Sequence, residues 1–424
     1  MAKAATPKKP AKRKAALPQK TDILIAGAGY VGLLTAVSIA RSAPSLNIVV
    51  VDAAPDNVWQ NDGRASAVAA AAVRMLDQLG CWQDILPHAQ PINEMVVTDS
   101  RTNDPVRPVF LTFEGNIDEG EPFARMIPNV EMIRALRKRC DEFGVTIIQS
   151  IGVTGFENNE ENQSVDIQLG GEHTLRAKLL IACDGVKSRL RDMAGIKTVH
   201  WDYGQAGIVA TIAHERSHEG RAEEHFLPAG PFAILPLTNN RSSIVWTEST
   251  EKAQRLINGD EFTFDIELEQ RFGLKLGDIK VETKPRAYPL GLTLARDFVK
   301  PRFALAGDAA HGIHPIAGQG LNLGFKDAAA LAEKVVEAHR LGLDIGALNV
   351  LEEYQRWRRF DTVQMGVTTD ILNRLFSNDI APLRALRSFG LSVVDRLPKL
   401  KDFFINQASG ISGETPRLLR GEQI

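Results

Sequence analysis

Apolar residues along this chain fall into three regimes. Residues 21–26 and 48–51 are short, nearly unbroken apolar runs, the reading of strands buried on both faces, and an apolar helical run to about residue 42 lies between them. From about residue 200 to 290 apolar and polar positions alternate instead. There, 207–212, 232–236 and 243–247 are predicted as strands of a sheet, with Asn239-Asn240 as a hairpin turn and 260–272 as the one interrupting helix. Beyond residue 325 the spacing turns helical, over 325–340, 348–376 and 380–405. In the last of these, Leu383, Leu386, Phe389, Leu391, Val394 and Leu397 are interleaved with Arg384, Arg387, Arg396, Lys399 and Lys401. That is the pattern of a helix docked on a core, or of an interfacial helix.

The remaining stretches are less regular. Residues 61–66 form a polar turn ahead of an Ala-rich run predicted as helix to about residue 80. Between 93 and 125 the pattern is strand-like with Pro and Gly breaks. Asn129 is placed to cap a helix through residue 139, with Ile133 and Leu136 on one face. Residues 145–149 are predicted as a strand, and 151–183 as an antiparallel meander around Gly170-Gly171.

Candidate chemistry lies where glycines end the apolar runs. Gly27-Ala28-Gly29-Tyr30-Val31-Gly32 follows the first strand at once and opens a helix, and Asp52 closes the second strand twenty residues after Gly32. This is the βαβ dinucleotide fingerprint in its proper context. Gly27 permits the tight turn, Gly29 lets a pyrophosphate approach the backbone, Gly32 lets helix and strand pack, and Asp52 can take ribose hydroxyls. Arg64, expected at the start of the Ala-rich helix, is either an exposed arginine or one that meets a phosphate or cofactor ring. Cys183-Asp184-Gly185 ends another apolar strand, with Ser188, Arg189 and Arg191 soon after. The richest stretch is 304–327: a buried strand, then Gly307-Asp308, then Gly312, Gly318, Gly320 and Gly324 leading into a helix. Strand, glycine loop and helix point backbone N–H groups at an anionic ligand, while Asp308 suits a sugar hydroxyl.

Composition narrows the class. The 424 residues are 44% hydrophobic and 24% charged with net charge −2, which gives no push toward nucleic acid. Cys81, Cys140 and Cys183 have neither metal-ligand nor disulfide spacing, so a reducing compartment and no metal site are expected. No apolar run approaches the roughly 18–20 residues of a spanning helix, which leaves peripheral membrane contact. Residues 1–20 hold seven basic and no acidic residues and are expected to be a disordered arm, solvated or touching anionic lipid.

Together the GxGxxG entry, Cys183-Asp184-Gly185 with Arg189, and Gly307-Asp308 resemble the flavoprotein monooxygenases of the aromatic-hydroxylase type. The run His314-Pro315-Ile316-Ala317-Gly318-Gln319-Gly320-Leu321-Asn322-Leu323-Gly324, followed by Asp327, is similar to the signature of the ubiquinone-biosynthesis hydroxylases. The resemblance covers residues 20–410. It departs at Asp52, where many relatives carry Glu, and at Cys183, where Ala is commoner.

The resemblance implies an α/β fold: a Rossmann-like FAD-binding domain (21–92, 126–198 and 296–345), an inserted antiparallel-sheet substrate domain (93–125 and 199–295), and C-terminal helices (346–424). It implies Gly27, Gly29 and Gly32 at the FAD pyrophosphate, Asp52 at the adenosine ribose, and Arg64 and Asn129 near the flavin and its phosphates. Asp184 belongs to a motif linked to FAD and the nicotinamide cofactor, and Asp308 would bind the ribityl chain. Pro315 to Asn322, including Gly318, Gly320 and Leu321, would border the isoalloxazine ring. The implied reaction is hydroxylation of a polyprenylated phenol in ubiquinone biosynthesis through a flavin C4a-hydroperoxide. O₂ is consumed, and NAD(P)H or a partner reductase supplies electrons. Other ubiquinone-biosynthesis proteins are the expected partners, and the expected location is cytoplasmic with peripheral contact at the inner membrane face. His314 is the nearest candidate for a base, with a purely conformational role beside Pro315 as the other reading. Two further readings stay open: a hydroxylase of a small aromatic acid, clamped by Arg216, Arg221 or Arg241, and a non-catalytic prenyl-binding protein of the same fold.

Overall fold

The computed structural model describes residues 17–99, 107, 109–114, 116–118, 120–171, 173–313, 319–376, 409–410 and 414–424. The two short apolar runs lie side by side in a six-stranded sheet. Its order is Thr146–Gln149, Ile48–Asp52, Ile23–Ala26, Leu179–Ala182, Phe303–Leu305 and Val299–Lys300, all parallel except the last. Ile23–Ala26 is central and buried along its whole length, as a strand covered on both faces must be. The helix Tyr30–Ser42 packs against the long helix Gln319–Arg340. The contact is close: a Cβ on Gly324 would stand 2.6 Å from a Val31 methyl. Parallel strands place their loops at one edge, and ligands bind there, outside the carboxyl ends of the strands. The turn after Ile23–Ala26, Asp52, Asp184 and Gly307-Asp308 all sit on that edge.

The alternating region forms a nine-stranded sheet, antiparallel but for the pairing of Arg221–Leu227 with Glu94–Asp99. Thr198–His214, Arg241–Ser249 and Gly230–Leu237 are its centre. Three residues, Thr238 to Asn240, join the paired Leu237 and Arg241, and Asn239 and Asn240 both have positive φ (65° and 51°), the left-handed conformation that asparagine tolerates in turns. Ile208, Phe232, Ile234, Ile244 and Trp246 face two helices, Thr250–Asn258 and Glu261–Phe272, and share one buried core with them. The single helix expected here is thus two. Ser249 and Asp260 each cap one through a side-chain oxygen.

Other expectations shift locally. The meander is Val153–Asn159, Ser164–Leu169 and His173–Ala177. Gln19 and Lys20, assigned to the basic arm, lie against Arg176, whose N–H donates to the Gln19 carbonyl. The Ala-rich run is helical only over Ala70–Gln78, because Ala65–Ala69 pairs as a strand with Ala124–Pro128. Asn129 does not cap its helix: Pro128 holds the cap position, and Asn129 begins Asn129–Glu142. Helix Leu348–Phe376 matches the expected span. The predicted helix 380–405 and residues 1–16 lie outside the described residues.

Candidate active site

The cradle begins at Gly27, whose φ of +114° strains any residue with a side chain. A Cβ there would lie 2.3 Å from the Cys183 carbonyl oxygen, and one on Gly32 would lie 1.9 Å from the Gly27 carbonyl oxygen. These two glycines are needed to close the turn. Gly29 differs, because a Cβ there meets nothing within 4 Å. It holds the cap position of Tyr30–Ser42 without a side-chain cap, and no acid occupies the first turn. Open space above unsatisfied N–H groups is what an anionic phosphate needs.

Three carboxylates flank this turn. Asp52 accepts the Ala28 and Ala54 N–H groups, both at 2.7 Å, which fixes the turn and leaves lone pairs for hydroxyls. Asp184 accepts from the Leu190 N–H at 3.3 Å through one oxygen; the other is buried with no partner among the described residues. Asp308 is reachable by solvent yet closely ringed by protein, and desolvation raises its pKa while His311 and Arg64 oppose the rise. A buried oxygen without a partner and a solvent-reachable acid closely ringed by protein both fit a polyhydroxyl ligand.

Arg64 precedes a strand rather than opening a helix, because the Ala65–Ala69 pairing displaces the helix start. Its guanidinium is bidentate to Asp62, both contacts at 2.8 Å, and lies 5.4 Å from the Tyr288 ring centre. Asp62 raises the Arg64 pKa and fixes the charge in place. Asn129 is buried and accepts the Ser66 hydroxyl at 2.7 Å. Asn322 is buried too: its Oδ1 accepts the Ala69 N–H at 2.9 Å and its Nδ2 donates to the Ala67 carbonyl at 3.0 Å. Both amides therefore tie helix starts to the small sheet. Gly320 and Leu321 lie in the first turn of Gln319–Arg340, which carries no acid. His314, Pro315 and Gly318 lie outside the described residues.

Beneath the cradle is a buried network of which only Asp327 stood out in the sequence. Asp327 accepts from the Gly307 N–H at 2.9 Å, His311 Nε2 at 2.5 Å and Arg358 Nε at 2.9 Å, and all three side chains are fully buried. Burial would raise the Asp327 pKa, but His311, Arg358 and the Gly307 N–H together hold it below the usual carboxylate range. The network pins the Gly307 turn to helices Gln319–Arg340 and Leu348–Phe376. His311 and Arg358 carry no spacing signal, being 16 and 31 residues from Asp327.

The other wall is the nine-stranded sheet. Phe232, Ile234 and Trp246 face the helices and are core. Leu235 instead belongs to the opposite face, where Val209, Ala233, Leu235 and Val245 are only half-buried. Tyr288, under Arg64, lies on this face, and Ala222 and Leu235 pack with Ala65 and Ala67. A half-buried apolar floor thus lies on the sheet face whose Leu235 packs toward the strand Ala65–Ala69. Arg221 pairs with Glu94, and Arg241 donates to the Thr238 carbonyl at 3.0 Å and lies 3.8 Å from Glu282. No group of three or more His, Cys, Asp or Glu suited to a metal occurs among the described residues.

Comparison with known proteins agrees with this geometry. A family model described as FAD binding domain matches residues 20–359. The chain is 42% identical over 407 residues to "Ubiquinone hydroxylase UbiL" of Rhodospirillum rubrum, covering 94% of this chain and 92% of that one. It is 30% identical to "3-demethoxyubiquinol 3-hydroxylase" of Escherichia coli, covering 93% and 99%. Among solved structures, p-nitrophenol 4-monooxygenase PnpA from Pseudomonas putida shares the fold with a TM-score of 0.76 at 19% identity, covering 93% of this chain and 99% of that one. With its glycine turn, its cleft acids and these full-length matches, the chain belongs to the FAD binding domain family and, within it, to the ubiquinone-biosynthesis hydroxylases.

Proposed function

We propose that this protein is an FAD-dependent monooxygenase that hydroxylates the aromatic ring of a polyprenylated phenol in ubiquinone biosynthesis. The observation that carries the substrate class is the half-buried apolar floor of Val209, Ala233, Leu235 and Val245, turned toward the strand that begins after Arg64. Bound FAD supplies the chemistry: activation of O₂ and transfer of one oxygen atom to the ring, driven by electrons from NAD(P)H or a partner reductase.

The chain's own residues hold and shield. Gly27, Gly29 and Gly32 shape the pyrophosphate seat, Asp52 takes the adenosine ribose, and Asp308 takes the ribityl hydroxyls. Asp184 offers its unpartnered oxygen, and Arg64 places a fixed positive charge in the cleft. Backbone N–H groups at Gly320, Leu321 and Asn322 and the dipole of their helix favour negative charge at the flavin ring. Asn129 and the Asn322 side chain hold the walls in place. His314, Pro315 and Gly318 complete the flavin edge in this reading. The apolar floor keeps water from the reacting atoms. No helix among the described residues is long and apolar enough to cross a membrane, so a prenyl-tailed substrate is met by peripheral contact. The division into a FAD-binding domain, an inserted substrate domain and C-terminal helices belongs to the same reading.

The small-acid alternative fares worse, because Arg221 and Arg241 are already engaged by acids and carbonyls of the sheet and Arg216 is exposed beyond the end of Thr198–His214. The test is purification and assay. A yellow protein that hydroxylates a short-chain prenylphenol, but not 4-hydroxybenzoate, supports the reading. A colourless protein that takes up no FAD on reconstitution sinks it. In a strain lacking the gene, an accumulated deoxy or demethoxy prenylphenol is expected, whereas an unchanged quinone pool speaks against it. Gly29→Val should fold normally and carry no FAD, since its side chain would occupy the empty space above the helix start.

A further inference from the structure

Side chains of the strand Arg221–Leu227 alternate between the two faces of the large sheet. Glu223 and His225 are on the helix face, where Lys275 Nζ donates to Glu223 at 2.7 Å and His225 meets the Thr98 hydroxyl at 2.7 Å. Glu224 lies between them and belongs to the opposite face, beside Val97 on one neighbouring strand and Ala233 on the other. Ala222, two residues away on that face, packs with Ala65 and Ala67 of the strand that starts after Arg64. Glu224 is only 5% exposed. Among the described residues its carboxylate has no hydrogen-bond or ion-pair partner, and desolvation alone acts on it.

A carboxylate only 5% exposed and without a protein partner is costly to desolvate, and a donor that arrives with a ligand would relieve that cost. Its neighbours on that face, Ala222, Phe226 and Val97, are buried and Ala233 is half-buried, so its setting is an apolar one beside the half-buried floor, and the donor that fits is the hydroxyl of a phenol. We propose that Glu224 accepts the hydroxyl proton of the aromatic substrate bound on this floor, orienting the ring and serving as its general base. The proposal rests on the prenylphenol reading. In the step, the phenol O–H bond breaks, the proton moves to a Glu224 carboxylate oxygen, and the electron pair stays on the phenol oxygen. The ring carbons ortho and para to it become more electron-rich, and the phenol oxygen recovers the proton once the product ring has formed. An anionic acceptor here also rejects a carboxylate substrate, which a small-acid hydroxylase could not tolerate.

Burial pushes the Glu224 carboxyl up to about 7. Both protonation states are then populated near neutral pH, where a general base is most effective. On its own face Glu224 is flanked by Ala222 and Phe226 and paired with Val97 and Ala233, none of which titrates; the nearest acid by register is Asp99, which pairs with Phe226. Arg221, Glu223 and His225 alternate onto the other face.

The test uses the FAD-loaded full chain with 2-geranylphenol and its methyl ether as probes, in the native protein, Glu224→Gln and Glu224→Leu. Binding is read from the change in flavin absorbance. The native protein should prefer the phenol to the ether by about 10-fold at pH 8, the worth of one hydrogen bond to a charged group. That preference should fade as pH falls through 7. Glu224→Leu should abolish it, and Glu224→Gln should make it independent of pH. Hydroxylation by Glu224→Gln should fall about 100-fold and lose its acid limb, with FAD content unchanged. A phenol preference and an acid limb that persist in Glu224→Leu would overturn the role of Glu224 while leaving the enzyme's function intact. A native protein that binds FAD but neither probe would overturn the prenylphenol reading, and this proposal with it.

Discussion

Asp327 and Glu224 are both buried acids, one beneath the nucleotide cradle and the other in the floor of the antiparallel sheet. Asp327 accepts from a backbone N–H, a histidine and an arginine, and its pKa is held down. Glu224 accepts from no described residue, and its pKa is pushed up to about 7. The same side-chain chemistry therefore marks opposite purposes. Beneath the cradle, the Asp327 carboxylate is answered by the protein so that the Gly307 turn stays rigid. On the floor, a polar group is left waiting within an apolar surface.

Breaking the first site should have the largest effect. Asp327→Ala leaves Arg358 buried without its main partner, and about 3–5 kcal/mol of stability should be lost in urea unfolding. A loss below 1 kcal/mol would mean the network is not what holds the turn. Its pH signature follows from the depressed pKa: the contribution is full above the unfolded carboxyl value near 4 and disappears as pH falls through the lower folded value. Glu224 should show the opposite sign. Its raised pKa means that folding is favoured below about 4.5 and progressively penalised between there and about 7. Glu224→Gln should therefore stabilise the protein at pH 8 by up to about 3 kcal/mol, and by little at pH 4. Equal stabilisation at both values would show that the native carboxylate is not desolvated.

Smaller effects sharpen the same contrast. Asp308→Ala removes a ligand-facing acid rather than a structural one, so FAD affinity should fall by about 10- to 100-fold while the urea midpoint holds. An unchanged affinity by dialysis and fluorescence would remove Asp308 from the site. Asp62→Asn loosens an exposed pair, and the stability cost should stay within about 1 kcal/mol. Its interest is whether flavin retention changes once Arg64 loses its anchor.

Much of the nucleotide half was legible because its signal is local. Gly27, Gly29, Gly32 and Asp52 are bound into one strand–turn–helix–strand unit, in which Gly27 and Gly32 answer steric demands and Gly29 leaves open space for a ligand. The strand Ala65–Ala69 was not legible, since an alanine run favours helix and only its pairing with Ala124–Pro128 makes it extended. Asn129 looked like a cap for the same reason, its actual partner Ser66 being 63 residues distant. Glu224 gave no signal at all: in Arg221-Ala222-Glu223-Glu224-His225 the two acids look alike.

What the sequence determined by itself was the set of parts: a dinucleotide fingerprint, two strand-end acids, a glycine-rich helix entry and an alternating sheet. These follow from residue spacing over a turn or a strand, where chain connectivity already enforces proximity. What only the tertiary structure decided was which polar groups are answered. Asp327 meets Arg358 across 31 residues, and Glu224 is parted from its identical neighbour Glu223 by the pleat and by what covers each face of the sheet. Burial and partnership are properties of the packed whole, and they separate the acid that holds this protein together from the acid proposed to act on its substrate.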